Sequence, residues 1–184
     1  VAWGAALKIS ELGGKVITLS GPDGYILDED GVKGEKIAYL LEMRESGRNR
    51  VQDYSDKFGC TFVPGKKPWG NVKADIYMPC AMQNEIRIED AKAMVALGVP
   101  VLNEVSNMPT TNEALEYLQK NGVLVAPSKA VNAGGVAVSG LEMSQNSERM
   151  LWSAEKVDST LRGIMKNIHK QIVEALSEYG MDYD

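Results

Sequence analysis

The chain has 184 residues, 44% of them hydrophobic and 24% charged, with a formal net charge of −5 and a pI near 5.1. This is the balance of one ordinary soluble globular domain with enough apolar material for a core. Its acidity argues against recruitment of nucleic acid or anionic membrane by bulk charge, and no apolar run reaches the roughly 18 residues of a bilayer span.

Taken in chain order, Val1 to Leu7 opens without a methionine or a cap and reads as the interior of a helix. The chain is therefore expected to begin inside a domain. Residues 1–12 carry helical spacing and stop at Gly13-Gly14. Lys15 to Ser20 is a short β-branched run, a buried strand, and Gly21-Pro22-Asp23-Gly24 is a turn. Residues 33–46 repeat Ile37, Leu40, Leu41 and Met43 at helical spacing. Residues 60–70 are rich in Gly, Pro and Lys and read as a loop. Ala74–Met78 is a second strand, ended by Pro79. Helix 87–97, strand 99–103, helix 111–121 and strand 123–126 follow. The segment 153–179 places Val157, Leu161, Ile164, Ile168, Ile172 and Leu176 at steps of three and four, one long amphipathic helix.

Strands alternating with helices predict an α/β fold of parallel βαβ units, a Rossmann-like doubly wound and mostly parallel sheet. No boundary is visible within 1–150, which forms the expected nucleotide-binding domain. Residues 151–184 form the expected hinge-type helix packed back on it. Such sheets bind ligands beyond the carboxyl ends of their strands. The two cysteines, Cys60 and Cys80, make no CxxC pair, and with His169 as the single histidine no zinc pattern arises. Free thiols suit a reducing compartment, so a cytoplasmic location is expected.

The strand ends carry the candidate chemistry. After strand 15–20, Asp23 is placed to bond an adenosine ribose, although turn statistics favour a plain turn aspartate. After strand 74–78 come Gln83 and Asn84, whose carboxamides both donate and accept; helix capping by Asn84 is the equal alternative. After strand 99–103 comes Asn107, with Thr110 or Thr111 as helix caps. After strand 123–126 come Ser128, Lys129 and Asn132, then Gly134-Gly135, which would let backbone approach a flat ring. Ser139 lies seven residues beyond Asn132, about two helical turns, so the two share a face. The alternatives are a helix start at Asn132 and a solvated or self-bonded hydroxyl at Ser139. Each site alone is weak. Four successive strand ends followed by Asn, Gln, Ser or Gly make one polar rim.

The stretches PCAMQNEI (79–86), NEVSNMPTT (103–111), PSKAVNAGGVAVSGLEMSQN (127–146), SGPDGYILDEDG (20–31) and AEKVDSTLRGIMKNIH (154–169) closely resemble the hexameric glutamate dehydrogenases of bacteria and lower eukaryotes. The resemblance spans essentially the whole chain. It implies an enzyme that oxidatively deaminates L-glutamate to 2-oxoglutarate and ammonia, reversibly, by hydride transfer to NAD or NADP. It implies cofactor contacts at Ser20, Gly21, Pro22, Asp23, Ala81, Gln83, Asn84, Asn107 and Asn132. Val136 and Ser139 would line the glutamate side-chain pocket, the serine bonding the distal carboxylate. Trp69 receives no role. The Gly-Pro-Asp-Gly turn favours NAD, since an aspartate near the 2′ position repels a phosphate, although neighbouring lysines oppose this.

The family's Gly-x-Gly-Asn fingerprint would directly precede Val1, its catalytic lysine and aspartate belong to an earlier domain, and a further segment would follow Asp184. This chain alone is thus expected to bind cofactor weakly and turn over nothing. Homo-hexamers are expected for the full-length protein, and a monomer or weak dimer for this chain. Two alternatives stand beside this reading: a non-catalytic dinucleotide-binding or assembly module, and an amino-acid dehydrogenase for branched or aromatic substrates. The hydroxyl of Ser139 argues against the second. A Rossmann-like methyltransferase shares only an acidic residue after the second strand.

Overall fold

A computed structural model of the chain describes residues 1–48 and 50–180. The last four residues of the predicted 151–184 segment lie outside that range. The described residues form an α/β structure, as expected, but their contacts group into two compact units. One comprises Val1–Ala74 with Ala96–Gly98, and the other Asp75–Val95 with Val99–Asp184. The sequence shows no boundary near residue 74.

In the first unit the helix α1 (Ala2–Glu11) is followed by β1 (Thr18–Gly21), β2 (Gly24–Leu27), the helix α2 (Glu35–Glu45), the helix α3 (Gln52–Phe58) and β3 (Thr61–Pro64). The expected parallel unit starting from strand 15–20 is not what forms. The three strands make an antiparallel sheet in the order β1-β2-β3. The cause is the turn. Gly21 pairs with Gly24, so Pro22-Asp23 is a two-residue loop that folds the chain straight back. Gly24 has φ +152, and a Cβ there would lie 2.3 Å from the Val63 carbonyl oxygen. Only glycine lets β3 approach that closely. Thr61–Pro64, read from the sequence as part of a loop, then pairs as β3 because Phe62 sits opposite the fully buried Ile26.

The core of this unit gathers Ile26, Val32, Ile37, Tyr39, Met43 and Tyr54. A polar cluster is embedded in it. Asp28, 3% exposed, accepts hydrogen bonds from the Tyr54 hydroxyl at 2.6 Å and Lys36 Nζ at 2.7 Å. Burial pushes the Asp28 carboxyl up, but the two hydrogen bonds and the lysine charge outweigh it and hold the group below the usual carboxylate range. Burial and the neighbouring Asp28 push the Tyr54 phenol well up, so it stays a neutral donor.

In the second unit the expected pattern forms with shorter strands. It runs β4 (Ile76–Tyr77), the helix α4 (Ile88–Ala96), β5 (Val101–Asn103), the helix α5 (Asn112–Lys120) and β6 (Leu124–Ala126). Two more helices, α6 (Ser128–Val131) and α7 (Ala133–Glu148), precede the long α8 (Ala154–Tyr179). The strands are parallel in the order β4-β5-β6. Leu102 and Val125 at the strand centres, and Met94, Ala114 and Leu118 of the crossover helices, are all buried. Because the strands are parallel, their carboxyl ends share one edge.

The α8 stripe predicted from spacing is half-buried along its length, from Val157 to Leu176. It reaches α7 at Gly134, where an added Cβ would lie 3.7 Å from Met165 Sδ and 3.9 Å from Leu161 Cδ1. The close approach expected of Gly134 is therefore made to helix α8. A Cβ on Gly135 would meet open space. The Ser153 hydroxyl caps α8 by accepting from the Lys156 N–H at 3.2 Å.

Candidate functional site: a rim of carboxamides

Three loops leave the carboxyl edge of the parallel sheet, after β4, β5 and β6. Backbone bonds tie the first two together. Ser106 N–H donates to the Pro79 carbonyl at 2.9 Å, Asn84 N–H to the Met108 carbonyl at 3.0 Å, and Ile86 N–H to the Pro109 carbonyl at 2.9 Å. Asn84 and Met108 both have left-handed φ, 55° and 44°. Asparagine tolerates this region; methionine occupies it at a cost of roughly 1–2 kcal/mol. The bond between the two residues holds both in it. The 79–85 loop is also wound around Glu85, whose carboxylate accepts from the N–H groups of Ala81 (3.4 Å) and Met82 (3.3 Å). Ala81, Gln83 and Asn84 are exposed on that loop. Within it, burial pushes the Cys80 thiol up to about 11. Asn84 does not cap α4, which begins four residues later at Ile88.

The third loop joins through side chains. Asn132 Nδ2 donates to Asn107 Oδ1 at 2.6 Å. Asn132 occupies the N-cap position of α7 but makes no capping bond with its side chain, which turns to Asn107 instead. The bond uses one end of each amide. The NH2 of Asn107 and the carbonyl of Asn132 remain, a donor beside an acceptor. Asn84, Asn107 and Asn132, which the sequence places on three separate strand ends, are thus linked through Met108 into one cluster.

Val136 and Ser139 lie on α7 at i and i+3, hence on one face, and both are exposed. Ser139 Oγ donates to the Gly135 carbonyl at 3.4 Å, the self-bonded arrangement. Among the described residues, Ser139 makes no hydrogen bond to the asparagine cluster. Ser20, Gly21, Pro22 and Asp23 belong to the first unit. There the Asp23 carboxylate accepts from the N–H groups of Val51 (3.1 Å) and Gln52 (3.0 Å), anchoring the start of α3. Lys67 Nζ donates to the Gly21 carbonyl at 3.2 Å, which places a positive charge at the turn.

The structure adds a residue that sequence reasoning passed over. Glu104 follows β5 directly and is 6% exposed. Its N–H donates to the Ala126 carbonyl at 3.1 Å, and its Oε2 accepts from Ser128 N–H at 3.2 Å. The available signal is a carboxylate immediately after a strand, the feature weighed at Asp23 but not at the end of strand 99–103.

Among known proteins, the chain is 61% identical to the NAD-specific glutamate dehydrogenase of Clostridium symbiosum, over all of this chain and 41% of that relative. It is 49% identical to the NADP-specific glutamate dehydrogenase of Escherichia coli K12, over 95% of this chain and 39% of the relative. A solved glutamate dehydrogenase at 61% identity superposes with a TM-score of 0.94, covering 100% of this chain and 41% of that one. The Plasmodium falciparum glutamate dehydrogenase, 37% identical, gives 0.92 over 100% of this chain and 40% of that one. The chain thus spans about two fifths of the length of these relatives. The family model described as Glutamate/Leucine/Phenylalanine/Valine dehydrogenase matches residues 1–184. The chain therefore belongs to the glutamate/leucine/phenylalanine/valine dehydrogenase family.

Proposed function

We propose that this chain is the nucleotide-binding part of a glutamate dehydrogenase, with a Rossmann-like fold, acting in the cytoplasm. The observation that carries the reading is the joined set Asn84, Asn107 and Asn132 on the carboxyl edge of the parallel sheet. A donor and an acceptor held side by side match a nicotinamide carboxamide, which presents the same pair in reverse. Gln83 and Ala81 flank that contact. The turn Ser20-Gly21-Pro22-Asp23 is the contact proposed for the adenosine ribose. Val136 and Ser139 are proposed for the glutamate side chain, where a hydroxyl suits a carboxylate and an apolar pocket would offer none.

Bound there, a nicotinamide cofactor supplies the hydride chemistry. The chain's own groups orient and hold. Amides and a hydroxyl do not titrate near neutral pH, so these residues bind without moving protons. The reading therefore assigns cofactor binding to this chain, with glutamate oxidation to 2-oxoglutarate and ammonia a property of the whole protein. A homo-hexamer is proposed for that whole protein as well. NAD is the favoured cofactor. The relative at 61% identity is named NAD-specific, and Asp23 opposes a 2′-phosphate, although Lys67 beside the turn works the other way.

Titration with NADH, followed by energy transfer from Trp3, Trp69 and Trp152, tests the reading. A saturable signal is expected, stronger for NADH than for NADPH. The absence of saturation at millimolar cofactor would leave the chain as a non-binding assembly module. For the substrate side, Ser139→Ala in the glutamate-oxidising protein is expected to lower kcat/KM for glutamate by about 1.5–3 kcal/mol, the worth of a hydrogen bond to a charged group. Unchanged glutamate kinetics would remove Ser139 from the pocket.

A further inference from the structure

We infer that Glu104 is a positioning residue for the Asn107–Asn132 carboxamide pair. The inference rests on the reading of that pair as the nicotinamide contact. Two segments meet here, 104–107 after β5 and 128–132 after β6. They are fastened at two points. At one end Glu104 Oε2 accepts from Ser128 N–H at 3.2 Å; at the other Asn132 Nδ2 donates to Asn107 Oδ1 at 2.6 Å. Between the fastenings lie three residue steps on the first segment and four on the second. The four-residue α6 spans the second segment and transmits the position of Ser128 to Asn132, whose N–H donates to the Ser128 carbonyl at 2.9 Å.

The Asn107–Asn132 bond is exposed, and by itself two surface amides would exchange it for water. The Glu104 bond differs. Its carboxylate is buried and accepts a backbone N–H that α6 cannot satisfy internally. Its own N–H is tied to Ala126 of β6. The acidic side chain thus belongs to the sheet and holds the loop from below. A buried carboxyl oxygen needs a donor, and the donor it takes, Ser128 N–H, joins the segment after β6 to the segment after β5. Glu104 itself lies off the rim, so it acts through the pair.

The experiment compares binding of NADH and of ADP-ribose, which lacks the nicotinamide, by titration calorimetry. A merely structural role would weaken both ligands together. A positioning role weakens NADH alone. Asn132→Ala is expected to erase most of the preference for NADH, and Glu104→Met to reduce it by about three- to tenfold, the worth of one hydrogen bond. Glu104→Gln keeps an acceptor for Ser128 N–H and is expected to restore it. Ser128→Pro removes the donor from the opposite side. Proline is well tolerated at that first helical position, so this variant probes the clasp even where Glu104→Met does not fold. It is expected to match Glu104→Met, and the double variant to be no worse than either.

An unaltered NADH preference in Ser128→Pro overturns the inference while leaving the site standing, as does a loss in Glu104→Gln equal to that in Glu104→Met. An Asn132→Ala protein with unaltered preference, or a parent chain that binds neither ligand, overturns the site reading and the inference with it.

Discussion

Asp28 shows how one residue can matter through its surroundings alone. In the fold it is buried between Lys36 and Tyr54. Removing the phenol hydroxyl with Tyr54→Phe deletes a hydrogen bond to a charged group and is expected to cost about 1.5–3 kcal/mol, read as a lower urea midpoint at unchanged m-value. The same cluster sets an acid limit. The folded carboxyl titrates below its unfolded value, so its contribution is complete above the unfolded value, near pH 4. It is lost as pH falls from there through the folded value. Urea midpoints measured between pH 6 and pH 2 should drop in that window, and the drop should be shallower in Asp28→Asn. An equal slope in both proteins would show that Asp28 does not set it. Glu104 and Asp23 teach a related lesson. Each carboxylate receives backbone N–H groups from a segment 24 to 29 residues away, and no local spacing announces such a partner.

At the scale of elements, the helices were legible because their periodicity is local. The predicted 33–46, 87–97, 111–121 and 153–179 match α2, α4, α5 and α8 to within one or two residues at each end. The hairpin was not. A Gly-Pro-Asp-Gly turn announces a reversal, but whether the next run pairs depends on a third strand that starts only at Thr61, and that strand is disguised by Gly, Pro and Lys neighbours. The short α3 escaped for a similar reason. Its N-terminus is anchored by Asp23, far away in sequence. Asp23→Ala is accordingly expected to destabilise the first unit by about 0.5–2 kcal/mol, the usual range for a lost helix N-terminal acceptor. Hydrogen exchange should quicken first at the amides of Val51 and Gln52; unchanged protection there would refute the anchor. Met108 adds a further element-level feature, a non-glycine left-handed residue held by the Asn84 backbone bond, which no propensity rule would place there.

For the molecule as a whole, the acidic composition makes a prediction that needs no structure. With pI near 5.1, the chain should be least soluble close to that pH and more soluble on the alkaline side, where its net charge grows. A turbidity scan across pH 4–8 checks it, and a minimum far from 5 would show that charges are paired differently from the formal count. Read as a linear string, the chain already shows the α/β class, the run of parallel units after residue 75, the long final helix and the motifs that mark the family. These rest on local periodicity and on which residue types follow each strand, both of which a linear string preserves. Folding alone turns β1 back into an antiparallel sheet and ties Asp28, Asp23 and Glu104 to distant segments. It also gathers three asparagines from three loops into one cluster. Those outcomes depend on long-range pairing and burial, where the energy of a residue is set by neighbours that the chain brings together only when it folds.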